Sequence, residues 1–230
     1  MNQNSRLSIS QEGLKFIACL TMLIDHIGAI FFPSIRWLRI IGRVSFPLYA
    51  FLLAEGLRHS HNLVKYGLRL LLVALISELP YDLLFSGKFT WTGNSVMVTL
   101  LLSFLMGCAM KPLPLWAKPC AIIPFALLGQ YCHGSYGMRG VLMVAIFLLP
   151  QNFPRFPRIL SQALLLILLS IWMSGWPDRV TVQIYAIVAI IPLALYSGRK
   201  HSHTPARQWF FTLFYPLHLI VLLLIRGLIL

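Results

Sequence analysis

From Leu14 to the C-terminus, apolar runs close to membrane-spanning length alternate with short joints carrying Lys, Arg, Pro or Gly. In hydrocarbon every backbone N–H and C=O must be paired within the chain, so such runs predict spanning helices. Nine are expected, at roughly 13–33, 41–57, 68–86, 95–110, 115–131, 137–149, 159–175, 180–196 and 208–229. The period-2 alternation of a transmembrane barrel is absent. Several runs fall short of the ~20 residues that a perpendicular span needs, and 137–149 reads equally as a short span or a re-entrant segment. Breakers mark the joints, among them Pro33, Pro112, Pro114, Pro150, Pro154, Pro157, Pro177 and Gly198. No joint is long enough to divide the chain. Residues 1–230 are therefore expected to form a single all-α domain, a polytopic transmembrane bundle.

Composition agrees with the pattern. Of 230 residues, 58% are hydrophobic and 11% charged, with a mean hydropathy of +0.79; a soluble domain carries about a quarter charged residues. The net charge of +13 does not point to nucleic acid, because the cations are dispersed through the joints. They are better explained by the excess of Lys and Arg on cytoplasmic loops. Twelve of the nineteen, including Arg6, Lys15, Arg58, Lys65, Arg69, Lys111 and Lys118, fall on the side of the N-terminus. A cytoplasmic N-terminus follows, with the first helix as an uncleaved signal anchor. The four cysteines show no metal-ligand spacing.

Ionisable residues inside the apolar runs carry the functional information, because burying charge in a bilayer is costly. Asp25 and His26 interrupt the first helix, and Lys15 stands at its cytoplasmic mouth. Lys15 and His26 are eleven residues apart, which places them within about 20° of each other around the helix. Asp25 points about 100° away from His26 and is not its orienter. Arg43, at similar depth on the next helix, is the expected partner of Asp25. Should His26 need a carboxylate to fix its tautomer, Glu55 and Glu78 are the candidates.

Arg36, Arg39 and Arg43 recur at i, i+3 and i+7, one stripe on the side that should be poor in cations. An anionic ligand or carboxylate partners would account for them, and so would snorkelling to the interface. Gly42 permits close helix approach, and Pro47 is expected to kink the second helix. Glu78 and Asp82 flank Pro80 near the outer end of the third helix, where a structural cap and a functional role are equally open. Asn94 opens the fourth helix as an N-cap or a hydrogen-bond donor, and His218 is the one histidine of the last helix. His59, His61, His201 and His203 sit in loops without the convergence that a metal needs. No metal is expected.

Five dispersed pieces resemble the TraX-like membrane proteins, a family that includes the enzyme that N-acetylates conjugative pilin. They are Lys15 with Met22-Leu23-Ile24-Asp25-His26; Gly42-Arg43-Val44-Ser45-Phe46-Pro47-Leu48; Gly93-Asn94; Ser135-Tyr136-Gly137 with Gly140-Val141-Leu142-Met143; and Phe214-Tyr215 with His218-Leu219. Their common order along most of the chain gives the match its specificity. The Lys15/His26 spacing is also similar to the first helix of larger multi-pass acyltransferases, which are distant relatives of the family.

The resemblance implies transfer of an acetyl group from acetyl-CoA to an amine or hydroxyl, on a pilin or another envelope substrate, in a bacterial inner membrane. Under that reading His26 is the general base, and Arg43 or Asn94 donates to the oxyanion. Lys15, Arg58, Lys65 and Arg69 hold the CoA phosphates, while Arg36 and Arg39 meet the acceptor. Glu55, Glu78 and His218 support the site. Two other classes stay open. A proton-coupled permease or flippase would use Asp25, Glu55 and Glu78, although no inverted repeat is visible. A non-catalytic assembly factor would need none of these groups for chemistry.

Overall fold

The chain was described by a computed structural model covering residues 8–89, 95–132, 135–149, 154–174, 182–198 and 205–229. Ten α-helices are defined among them: α1 (Gln11–Ile30), α2 (Arg36–Gly42), α3 (Ser45–His59), α4 (Leu63–Ser86), α5 (Val96–Met110), α6 (Lys118–Tyr131), α7 (Gly137–Leu148), α8 (Arg155–Ser174), α9 (Ile190–Ala194) and α10 (Pro205–Ile229). Among the described residues there is no sheet, only an isolated bridge between Ile9 and Tyr196.

Local signals place the helix ends. Ser10 caps α1 by accepting from the Gly13 N–H at 3.2 Å, and Asn62 caps α4 by accepting from Lys65 N–H at 2.8 Å. α4 stops at Gly87, whose φ of +69° is the left-handed conformation that glycine takes without a Cβ penalty.

Two expectations about element boundaries are corrected. The stretch expected as one helix over 41–57 begins instead with the short α2, which folds back against the end of α1. α3 then starts afresh at Ser45. Pro47 thus lies in the first turn of α3, where its missing N–H would have had no helical partner, and it marks a helix start rather than a kink. Residues 182–189 form a 3₁₀-helix leading into α9. Val182, Ile184, Ile187 and Val188 are β-branched and weak α-formers.

α3 is the centre of the bundle. It packs on α1, α5, α7 and the 182–189 segment, and it buries Phe46, Leu48, Phe51, Leu53 and Leu57. α7 is nearly as enclosed, with Phe46 stacked on Tyr136 at 3.8 Å and Phe51 set edge-on to Phe147 at 5.5 Å. α4 and α10 pack together on one flank and turn apolar side chains outward, including Leu68, Leu72 and Leu75 on α4 and Val221, Leu224 and Leu228 on α10. Outward apolar surface of this extent matches lipid as solvent. Among the described residues, three segments are long and apolar enough to cross a membrane: Gln11–Ile30, Arg36–His59 and Arg207–Ile229.

Candidate functional site

Asp25 and His26 follow one another on α1 and are claimed by different neighbours. Asp25 faces α2. The Arg43 guanidinium donates to both of its carboxylate oxygens, Nη2 lying 2.6 Å from Oδ1 and 2.8 Å from Oδ2. Arg39 Nη1 donates to Oδ2 at 2.8 Å and to the Asp25 carbonyl at 3.1 Å. Arg43 also donates to the Arg39 carbonyl and, from Nη1, to Gln183 Oε1 at 3.3 Å. One carboxylate thus holds two guanidinium groups. The helices approach this closely because residue 42 is glycine: a Cβ there would lie 2.1 Å from Asp25 Oδ1. Arg36, the third member of the stripe, points outward and is exposed.

His26 faces α10. Its Nδ1 lies 2.8 Å from His218 Nε2, and both rings are buried. His218 Nδ1 lies 2.8 Å from the Phe214 carbonyl. A carbonyl only accepts, so His218 Nδ1 carries a hydrogen and, in the neutral ring, Nε2 is an acceptor. His26 Nδ1–H therefore donates to it, which leaves the lone pair of His26 on Nε2. The carbonyl of α10 dictates the tautomer of a histidine on α1 through one intervening ring. Phe85 and Tyr215 meet the His26 ring edge-on at centroid distances of 5.4 and 6.5 Å.

A cavity of about 320 Å³ approaches this pair. Lys15, Arg69 and His59 lie among the residues at one end, Cys19 and Tyr49 line its middle, and Met22, Val96 and Tyr215 are at the other. Lys15, Cys19, Met22 and His26 share one stripe of α1. The cavity therefore ends one helical turn short of His26. Lys15 Nζ sits over the Phe211 ring at 5.4 Å, and the Arg69 guanidinium over Tyr66 at 5.8 Å.

The four cations expected to act together on a nucleotide are split by the fold. Lys15 and Arg69 line this cavity. Lys65 is exposed outside it. Arg58 is not among the lining residues; it pairs with Glu55 at 2.8 Å and donates to the Phe147 carbonyl.

Neither carboxylate proposed as the orienter of His26 fills that place. Glu55 is engaged by Arg58 and by the Tyr196 hydroxyl at 3.3 Å, and His218 takes the role instead. Glu78 is buried on α4 and has no hydrogen-bond partner among the described residues. Asn94 and His201 and His203 lie outside the described residues. Among those described, no cluster of three or more metal-ligating side chains occurs.

Residue-by-residue inspection of the sequence did not single out Gln183 or Tyr215. Gln183 had a visible signal, being the one amide in the apolar stretch 182–196. Tyr215 had none beyond its place in the Phe214-Tyr215 piece, since its importance arises from α10 packing against α1 and α4.

The same residues lie within a stretch that matches known proteins. The family described as "TraX protein" matches residues 10–226. A protein of Dichelobacter nodosus described as "Probable fimbrial assembly protein FimC, serogroup H1" is 30% identical, covering 96% of this chain and 97% of its own. "Protein TraX" of Escherichia coli is 28% identical over 91% of this chain and 84% of its own. No solved structure matches the chain. With a family match running from the cap of α1 to the last turns of α10, the chain belongs to the TraX family.

Proposed function

We propose that the protein is a membrane-embedded acetyltransferase that moves an acetyl group from acetyl-CoA to an amine or hydroxyl, with His26 as general base. The observation that carries the reading is the hydrogen-bond chain from the Phe214 carbonyl through His218 to His26, which leaves a lone pair on His26 Nε2. A base must present a lone pair in a fixed direction, and a histidine buried for packing alone does not require that.

The cavity supports the donor side of the reading. Eleven residues of helix separate Lys15 from His26, a rise of about 16 Å. CoA phosphates held at Lys15 and Arg69 would leave the slender pantetheine arm to run past Cys19 towards Met22 and Tyr215. The acceptor's N–H or O–H gives its proton to His26 Nε2 as its lone pair attacks the thioester carbonyl carbon. The resulting imidazolium keeps its Nδ1–H on His218. Collapse of the tetrahedral intermediate breaks the C–S bond, and the thiolate of CoA takes the proton back from Nε2. Arg43, held by Asp25 and Gln183, is better placed to fix α1 and α2 than to follow an oxyanion.

The excess of Lys and Arg on the N-terminal side supports a cytoplasmic N-terminus in a bacterial inner membrane, with the Lys15 end of the cavity facing the compartment where CoA resides. The name of the Dichelobacter relative refers to fimbrial assembly. A subunit of a surface fibre is accordingly the first acceptor to test.

The experiment is turnover of labelled acetyl-CoA by the purified, detergent-solubilised chain, with and without His26→Ala. A loss of roughly 10²–10⁴-fold is expected for a general base. A variant that keeps more than about a tenth of the wild-type rate, with an unchanged melting temperature, removes His26 from that role. If wild-type protein turns over no thioester in the presence of a fibre subunit, the transport or assembly readings take its place.

A further inference from the structure

Where α3 and α5 end and α6 begins, an open cavity of about 250 Å³ lies between four helices. It is lined by Leu57, Met110 and Leu148, which are almost wholly buried, and by the cations Arg58, Lys111 and Lys118. Arg58 is answered by Glu55, although its Nε is buried without an acceptor. Neither Lys111 nor Lys118 has a carboxylate within ion-pair distance among the described residues. Helix dipoles account for only part of this arrangement. Lys111 follows the C-terminus of α5, where a cation is favoured, but Lys118 is the first residue of α6, where it is disfavoured. Two unanswered cations converging with a third on one cavity leave an anion to be supplied from outside the chain.

Depth identifies which anion. Between the two lysines the chain exposes Leu115 and Trp116, the indole at 82%. An exposed tryptophan on a membrane bundle sits at headgroup level, where its apolar ring and polar N–H are both satisfied. The two lysines on either side of it are therefore at headgroup level. A cationic cavity beside exposed apolar side chains fits an amphiphile with an anionic head.

We propose that this cavity binds the headgroup of an anionic phospholipid, its phosphate between Lys111 and Lys118 and its acyl chains beside the exposed Leu115 and Trp116. The phosphates of CoA are the weaker choice. The cavity shares no lining residue with the one that leads to His26. The proposal requires the bundle to sit in a membrane but does not depend on acetyl transfer.

Native mass spectrometry of the full chain in detergent, titrated with phosphatidylglycerol or phosphatidylcholine, tests it. The wild type should retain phosphatidylglycerol selectively. The double change Lys111→Gln with Lys118→Gln should weaken that binding roughly thirtyfold, at about fivefold per cation near a bilayer surface. Lys111→Arg with Lys118→Arg should keep it. Equal retention of the two lipids by the wild type, or undiminished selectivity in the glutamine variant, overturns the proposal. Displacement of phosphatidylglycerol by CoA overturns the lipid assignment and gives the site to nucleotide phosphates. Should the glutamine variant not fold, salt tests the wild type alone: about 0.5 M NaCl should erase the preference, and its persistence rejects a charge-based site.

Discussion

Asp25 and His26 are adjacent in the chain, similarly buried, and differ in nearly everything else. Asp25 accepts four hydrogen bonds from two guanidinium groups on or beside α2, three on its carboxylate and one on its backbone carbonyl. His26 has one ring nitrogen engaged and the other left with a lone pair. Saturation of this kind holds helices together; a deliberately unsaturated group is available for chemistry. The 100° between neighbouring helical residues is what lets one helix serve both purposes at one depth.

The largest expected effect falls on the saturated side. Asp25→Ala leaves Arg39 and Arg43 without their shared counter-ion and should cost about 3–5 kcal/mol of stability, read as a lowered melting temperature and loss of monodispersity in detergent. Because the damage comes from unpaired charge, Arg43→Gln added to Asp25→Asn should restore part of it. Strict additivity of the two changes would show that the pair is not coupled.

Gly42→Ala should follow, at roughly 1–3 kcal/mol, since its Cβ would meet an immobilised carboxylate rather than a flexible chain end. An alanine variant with wild-type melting would mean that α2 can retreat from α1 without loss.

On the unsaturated side, stability and activity should separate. His218→Phe keeps an aromatic ring against Phe214 but removes the acceptor of His26 Nδ1–H. Turnover should fall roughly ten- to a hundredfold, the range seen when an orienting partner of a functional histidine is lost, with little change in melting. His218→Gln, which offers a side-chain carbonyl, should recover part of the rate. A His218→Phe variant that loses stability and activity together would make the histidine pair a packing feature like the aspartate cluster.

The smallest effect is assigned to Arg36→Gln. Its side chain is exposed and lies outside the Asp25 cluster, so a change within about 0.5 kcal/mol is expected. A larger loss would return Arg36 to the stripe that the sequence suggested.

The helical class and most helix positions were legible because apolar runs bounded by Pro, Gly and basic residues follow from the requirement that lipid-facing backbone be internally paired. Asp25, His26, Arg43 and Gly42 were legible for a related reason: charged residues and gaps in an apolar helix stand out wherever their partners are. The division of 36–59 into α2 and α3 was not legible, since Pro47 is compatible with both a kink and a helix start. Nor could local pattern decide which partner each group finds. His218 lies 192 residues from His26, and Gln183 lies 140 from Arg43. One-dimensional periodicity fixes the face on which a side chain emerges, but not the helix that packs there. For this protein the sequence by itself determined a membrane-type helical bundle with ionisable groups at depth. Only the tertiary structure decided that α10 orients His26, that Arg39 and Arg43 together hold Asp25, and that Arg58 turns to the Phe147 carbonyl rather than lining the cavity of Lys15 and Arg69, because those outcomes depend on contacts between distant segments.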